Sequence, residues 1–220
     1  MEIETWAKNI NKEVFEKWKR DYPLWEPGFK VFYSPVRKNP KLMILSYNPG
    51  GDETSFQVDL NHFEKGNYPR FMKNEYLTRD YLMAKKIRAF FEENCDLLET
   101  SVTLPIIFFR SKNTKYLKKN FPKELQHNME NFCLTHVKRI IETVNPKSIL
   151  ILGFETYSVF RRHFGPFKKE VEINGEKNRR IGLKAYWEKI PLFCILHPTG
   201  ARISNTDVEK NKKSFFEFIK

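Results

Sequence analysis

Two short segments hold most of the residues that could do chemistry: "SYNPGGDE" at 46–53 and "HPTGARIS" at 197–204. In the first, Asn48 brings an amide that can orient water or a polar ligand, and Pro49 holds the turn behind it. Gly50 and Gly51 let backbone approach a ligand closely or take positive φ. Asp52 and Glu53 add carboxylates of the kind that activate water. In the second, His197 offers an imidazole that donates at physiological pH and can stabilise charge developing on an oxygen. Pro198 restricts His197 to extended backbone, and Thr199, Ser204 and the intervening amides could hold a phosphate. Arg202 and Ile203 place a cation and an apolar wedge at the loop crown. Neither segment carries GxGxxG or the lysine-serine pair of a P-loop, so a nucleotide-cradling loop is not indicated.

Chemistry at two sites about 150 residues apart needs a fold that joins them. Four near-continuous apolar runs, "KLMILSY" (41–47), "VTLPIIFF" (102–109), "SILILG" (148–153) and "PLFCIL" (191–196), read as strands of a parallel sheet buried on both faces. Helical patterns separate or follow them: "RDYLMAKKIRAFFEEN", "ELQHNMENFCLTHVKRIIETV" ending before Asn145-Pro146, "ETYSVFRRHF" and "DVEKNKKSFFEFIK". This alternation predicts an α/β layered architecture in one domain over 1–220, with the aromatic-rich 1–35 packing a helix on the core. "DYPLWEPG" reads as a turn, and "EINGEKNRR" as a hairpin around Asn-Gly. In open parallel sheets ligands bind beyond the carboxyl ends of the strands. Both polar segments sit there, which makes them halves of one site.

Composition narrows the partners. The chain has 220 residues, 40% hydrophobic and 15% aromatic with 20 Phe, enough to build a core rather than a disordered segment. No apolar stretch approaches a membrane span and the N-terminus lacks a signal-peptide run, so an intracellular, cytoplasmic protein is expected. A net charge of +12 favours polyanionic partners, and charge alone does not separate nucleic acid from a membrane surface or from mere solubility. Cys95, Cys133 and Cys194 are widely spaced and form no CxxC pair, so reduced, structural thiols are expected and a zinc site is not.

Taken together, "SYNPGGDE", "TSVTLPIIFFRSKN", "VNPKSILILGFETYSVF" and "HPTGARIS" resemble, in order, the motifs of the uracil-DNA glycosylase superfamily. The resemblance runs from 41 to 204, about three quarters of the chain. It implies a three-layer α/β/α sandwich around a central, mainly parallel four-stranded sheet. It also implies hydrolysis of the N-glycosidic bond of a base flipped out of DNA, leaving an abasic site. Asn48 would take the water-positioning place, as in the mismatch-specific and single-strand-selective branches. His197 would donate to the leaving base, and Gly50 and Gly51 would face the base or its phosphate. Asp52 or Glu53 could assist the water, since an amide cannot act as a base. Tyr47, Phe56, Phe63 and Tyr68 are the candidates for stacking on the base, Phe56 first and Phe63 second. No cofactor, metal or iron–sulfur cluster is implied, and a monomer acting on DNA is expected.

The chain departs from the family at the second strand. Where several branches place an Asn that reads uracil, this chain has Thr103, Leu104 and Pro105, and Asn113 lies beyond in a basic loop. The target base is therefore left open among uracil, damaged and modified bases, including those of modified-base DNA. Arg110 and Lys112, with Lys115, Lys118, Lys119, Arg161, Arg162, Lys168, Lys169, Lys177, Arg179 and Arg180, are expected to line a DNA side together with Thr199, Arg202, Ile203 and Ser204. The alternatives are a nucleic-acid-binding module without catalysis on the same fold, and an enzyme cleaving free nucleosides.

Overall fold

In the computed structural model, residues 2–51, 53–66, 73–200 and 203–219 are described. The chain opens with α1 (Ile3–Asp21), β1 (Met43–Ser46) and α2 (Glu53–Glu64). It continues through α3 (Glu75–Thr78), α4 (Leu82–Phe90), α5 (Cys95–Glu99), β2 (Val102–Pro105), α6 (Thr114–Asn120) and α7 (Lys123–Val144). The last third holds β3 (Ile149–Leu152), α8 (Phe154–Phe164), β4 (Lys168–Asn174), β5 (Arg180–Trp187), β6 (Ile190–Ile195) and α9 (Asn205–Phe218).

The strands form one mixed sheet of six in the order β2-β1-β3-β6-β5-β4. The four expected apolar runs supply β2, β1, β3 and β6, and all three pairings among them are parallel. The hairpin expected around Asn174-Gly175 is present, but β4 and β5 do not stand apart. They add antiparallel to β6, so the expected sheet of four is corrected to six. The reason is in β5: Ile181, Gly182, Leu183 and Ala185 are buried, giving a strand fit to lie inside a sheet. β4 is exposed along nearly its whole length and carries Lys168, Lys169, Glu170 and Glu172, charges that protect a free edge from further pairing. The other edge, β2, is covered by residues 29–34: Tyr33 N–H donates to Thr103 O, and Lys30 N–H to Phe108 O.

The strands are apolar without alternation because each feeds two cores. Met43, Leu45, Ile149, Ile151, Leu192 and Cys194 join one cluster, packed under α1, α7 and α8 through residues such as Val14, Val137 and Phe160. Their sequence neighbours Leu42, Ile44, Leu150, Leu152, Phe193 and Ile195 join the other, under α4 and α9 through Ile87 and Phe215. The period-2 partition places helices on both faces of the sheet. The 1–35 segment behaves as expected, with Trp6, Ile10, Val14, Phe15 and Trp18 of α1 in the first cluster. α7 ends at Asn145, whose φ of 53° stops the helix before Pro146. Among the described residues, no helix is long and apolar enough to cross a membrane.

Candidate functional site

The parallel pairing brings the carboxyl ends of β1, β3 and β6 side by side. Asn48 lies just beyond β1 and His197 just beyond β6, with β3 between them. At the usual strand spacing the two tips stand roughly 10 Å apart.

Asn48 is held in one orientation. Its Nδ2 donates to Ser111 Oγ and to Pro49 O, each at 2.9 Å. Because a carbonyl only accepts, these contacts fix which end of the amide is nitrogen. Both amide hydrogens are engaged, so Oδ1 is the atom left to accept from water. Ser111 is buried and its hydroxyl donates a hydrogen bond to Asn113 O at 2.8 Å, while its backbone N–H donates to Pro49 O at 3.0 Å. The turn after β1 is thereby stapled to the segment after β2. Asn113 ends the loop after β2, as expected, and there caps α6, its side chain accepting from Tyr116 N–H at 2.7 Å.

His197 is held by longer contacts. Nδ1 faces the Thr199 backbone N–H at 3.4 Å and Thr199 Oγ1 at 3.2 Å. The backbone donor assigns the lone pair to Nδ1 and the proton to Nε2. Among the described residues no acceptor pairs with Nε2–H, which is the donor the site can use. Burial lowers the imidazole pKa below 6.5, against the opposing pull of the Glu155 carboxylate, and so favours the neutral donor. Gly153, with φ +96°, closes the far side: a Cβ there would lie 3.2 Å from His197 Cβ and 3.3 Å from Cδ2. Only glycine lets the backbone between β3 and α8 pass so near the ring.

Between the two tips lie groups of both charges. Tyr47 is buried, and Lys118 Nζ stands 5.6 Å from its ring centroid and pairs with Glu155. Burial first, then the charges of Glu155 and Glu130, push the Tyr47 hydroxyl pKa well up, so it stays protonated. Gly50 has open space where a Cβ would project, and Gly51 has φ +114°, a conformation that favours glycine. Among the described residues, no group of His, Cys, Asp and Glu is arranged to hold a metal ion.

Several expected site residues serve elsewhere. Phe56 is buried, with its ring against Trp18 and Phe29 and filling the space a Gly28 Cβ would need. Phe63 is buried against Phe15 and Phe29. Both are core, so neither offers a free face for stacking; the helical register of α2 turns them onto α1. Arg110 is buried too, donating to Phe29 O at 3.1 Å and pairing with Asp59, and so does not face phosphate. Ser204 caps α9 by accepting from Asp207 N–H at 3.2 Å, and Ile203 is half-buried against the second core cluster. Lys112 is exposed over the Tyr116 ring at 4.4 Å, and Thr199 is exposed beside His197. Asp52, Tyr68 and Arg202 lie outside the described residues, as does the side chain of Glu53.

Ser111 and Glu155 were not anticipated. A serine closing an apolar run and a glutamate opening a helix are unremarkable in sequence; only the strand order makes them neighbours of Asn48 and His197. Cys95 is exposed, whereas Cys133 and Cys194 are buried. No protein-family model matches the chain, and a search of curated proteins finds no match.

Proposed function

We propose that the protein is a monofunctional DNA glycosylase that hydrolyses the N-glycosidic bond of a flipped-out uracil, damaged or modified base. The observation that carries the proposal is the paired orientation of the two tips. Among the described residues, Asn48 Nδ2 and His197 Nδ1 are engaged, while Asn48 Oδ1 and His197 Nε2–H have no partner. Glycosidic cleavage builds positive charge on the sugar and negative charge on the departing base. It needs water held on one side and a neutral donor on the other. Asn48 Oδ1 accepts a hydrogen bond from the water and aims it at the sugar carbon. The Nε2–H of His197 donates to an oxygen of the base as it takes up charge. The water's proton leaves to solvent or to a carboxylate, for which Asp52 and Glu53 are candidates.

In this proposal β2, β1, β3 and β6 are the glycosylase-like sandwich, and the β4–β5 hairpin is an addition to its edge. The charge of +12 and the exposed lysines of α6 suit DNA as partner. The test is a panel of oligonucleotides carrying uracil, thymine mismatches, deaminated purines and bulky modified cytosines, assayed for alkali-sensitive abasic sites. At least one base is expected to be released. No product from any of them, at low salt and enzyme excess, would refute the proposal. Salt-sensitive binding without release, unchanged by Asn48→Ala, would favour the non-catalytic module.

A further inference from the structure

β4 is exposed along all but Ile173, which packs in the second core cluster. On the other face of the β4–β5 hairpin, an open cleft of about 610 Å³ lies between the hairpin and α8. That volume is in the range of small-molecule sites. Phe154, Tyr157, Ser158 and Arg161, spaced to fall on one side of a helix, form the α8 wall. Glu170, Glu172 and Arg180 come from the hairpin, and Arg162 adds a third guanidinium.

The arginines are set in place by their neighbours. Arg161 donates to the Glu170 carboxylate through Nε at 2.9 Å and through Nη2 at 3.0 Å, and the Tyr157 hydroxyl donates to it as well. Arg180 donates through Nη1 to Glu172 at 2.8 Å and lies 4.4 Å from the Phe154 ring centroid. Arg162 pairs with Glu130. Among the described residues, no partner takes Arg161 Nη1 or Arg180 Nε and Nη2. Exposed ion pairs add little to stability, but guanidiniums fixed beforehand lose less freedom when a ligand arrives. Three of them against two carboxylates leave the lining positive, which favours an anion. The planar fork of arginine matches the oxygens of a phosphate. A guanidinium seated on a ring also presents its opposite side to a second planar group. The two preferences together describe a phosphate joined to a base.

β5 enters beside the carboxyl end of β6, since Gly182 pairs with Ile195 and Leu196 N–H donates to Ile181 O. Arg180 thus stands at the end of the sheet that bears His197, and Phe154 directly follows Gly153, whose backbone passes the imidazole. The cleft adjoins the candidate site and shares none of its residues. We infer that it binds a nucleoside phosphate, with the base on the Arg180 guanidinium and the phosphate on Arg161 and Arg162. The inference goes beyond glycosidic cleavage and does not rest on it. The ligand is either a free nucleotide or one nucleotide of a strand.

The test is calorimetric titration of the full chain with thymidine monophosphate, thymidine, inorganic phosphate and a short single-stranded oligothymidylate. The monophosphate is expected to bind at least about tenfold more tightly than thymidine or phosphate alone. Arg180→Lys, which keeps the charge but not the plane, and Arg161→Gln should each weaken it about tenfold. Ser158→Trp, at an exposed helix position, should fill the cleft and abolish binding with the melting temperature unchanged, whereas Asn48→Ala should leave binding as it was. Oligothymidylate binding weakened by the same variants would make a strand the source, and oligothymidylate binding indifferent to them would make it the free nucleotide. No binding of the monophosphate at millimolar concentration would overturn the proposal, as would phosphate alone binding equally well. So would affinity unchanged by Arg180→Lys and Arg161→Gln, or binding that survives Ser158→Trp. Because the readout is binding, its failure leaves the glycosylase proposal as it stands, and an absence of base release leaves the cleft as it stands.

Discussion

Replacing Gly153 with alanine isolates what the close approach to His197 is for. The residue has φ +96° and ψ 138°, a region held almost only by glycine, so alanine there costs about 1–3 kcal/mol in backbone strain. For a chain of this size each kcal/mol lowers the melting temperature by about 2–4 °C, which gives a drop of about 2–12 °C. The second effect is local. The new Cβ would lie 3.2 Å from His197 Cβ and 3.3 Å from its ring carbon Cδ2, so the side chain must yield by a few tenths of an ångström. Losing an oxyanion donor outright slows a reaction about 10²–10³-fold. A displaced donor should slow base release about ten- to a hundredfold in single-turnover assays run well below the melting point. Gly50→Ala is the control, since its Cβ projects into open space and should leave the melting temperature unchanged. A Gly153→Ala protein as stable as wild type would refute the strain. One that is destabilised yet releases base at the wild-type rate would refute the claim that the position of His197 matters.

Other perturbations read the remaining contacts. Ser111→Ala removes the acceptor that holds Asn48; stability should fall by about 1 kcal/mol in a denaturant titration, and base release should slow about tenfold as the amide loosens. Arg110→Ala leaves Asp59 without its buried partner and should cost about 3–5 kcal/mol by thermal or chemical unfolding. Its salt slope for DNA binding should be unchanged, whereas Lys112→Ala should reduce that slope by about 1. Burial lowers the pKa of His197 and of His163 below 6.5. The unfolded chain then binds protons that the folded chain resists, so stability should decline as pH falls below 6.5 and level off below the folded pKa values. His197→Gln should flatten part of that decline, which chemical denaturation at stepped pH would detect.

The parallel core was legible because four apolar runs without alternation admit one economical arrangement, strands buried on both faces, and the turn at Asn145-Pro146 marks a helix end unambiguously. β5 was harder: "RIGLKAYW" alternates like a half-exposed strand, and its place beside β6 depends on a partner distant in sequence. The placement of Asn48 and His197 just beyond strands at the same end of the sheet was legible from the apolar runs that precede them. Phe56 and Phe63 were misjudged because sequence proximity to a motif does not say which face of a helix a ring occupies. In α2 that face meets α1, whose aromatic residues claim it. Arg110 was misjudged for a related reason, since the segment that buries it, around Gly28 and Phe29, lies far away in the chain. Ser111 and Glu155 became neighbours of Asn48 and His197 only once the strand order was known.

The most direct measurement is the mass of what leaves the DNA. An oligonucleotide carrying a base accepted in the panel is incubated with excess enzyme, and free base and remaining strand are weighed by mass spectrometry for wild type, Asn48→Ala and His197→Ala. Wild type should yield the intact base and an unbroken abasic strand, and each variant should slow that yield by about two orders of magnitude or more. No free base from the wild type, or full yield from either variant, would contradict a hydrolytic site built by Asn48 and His197.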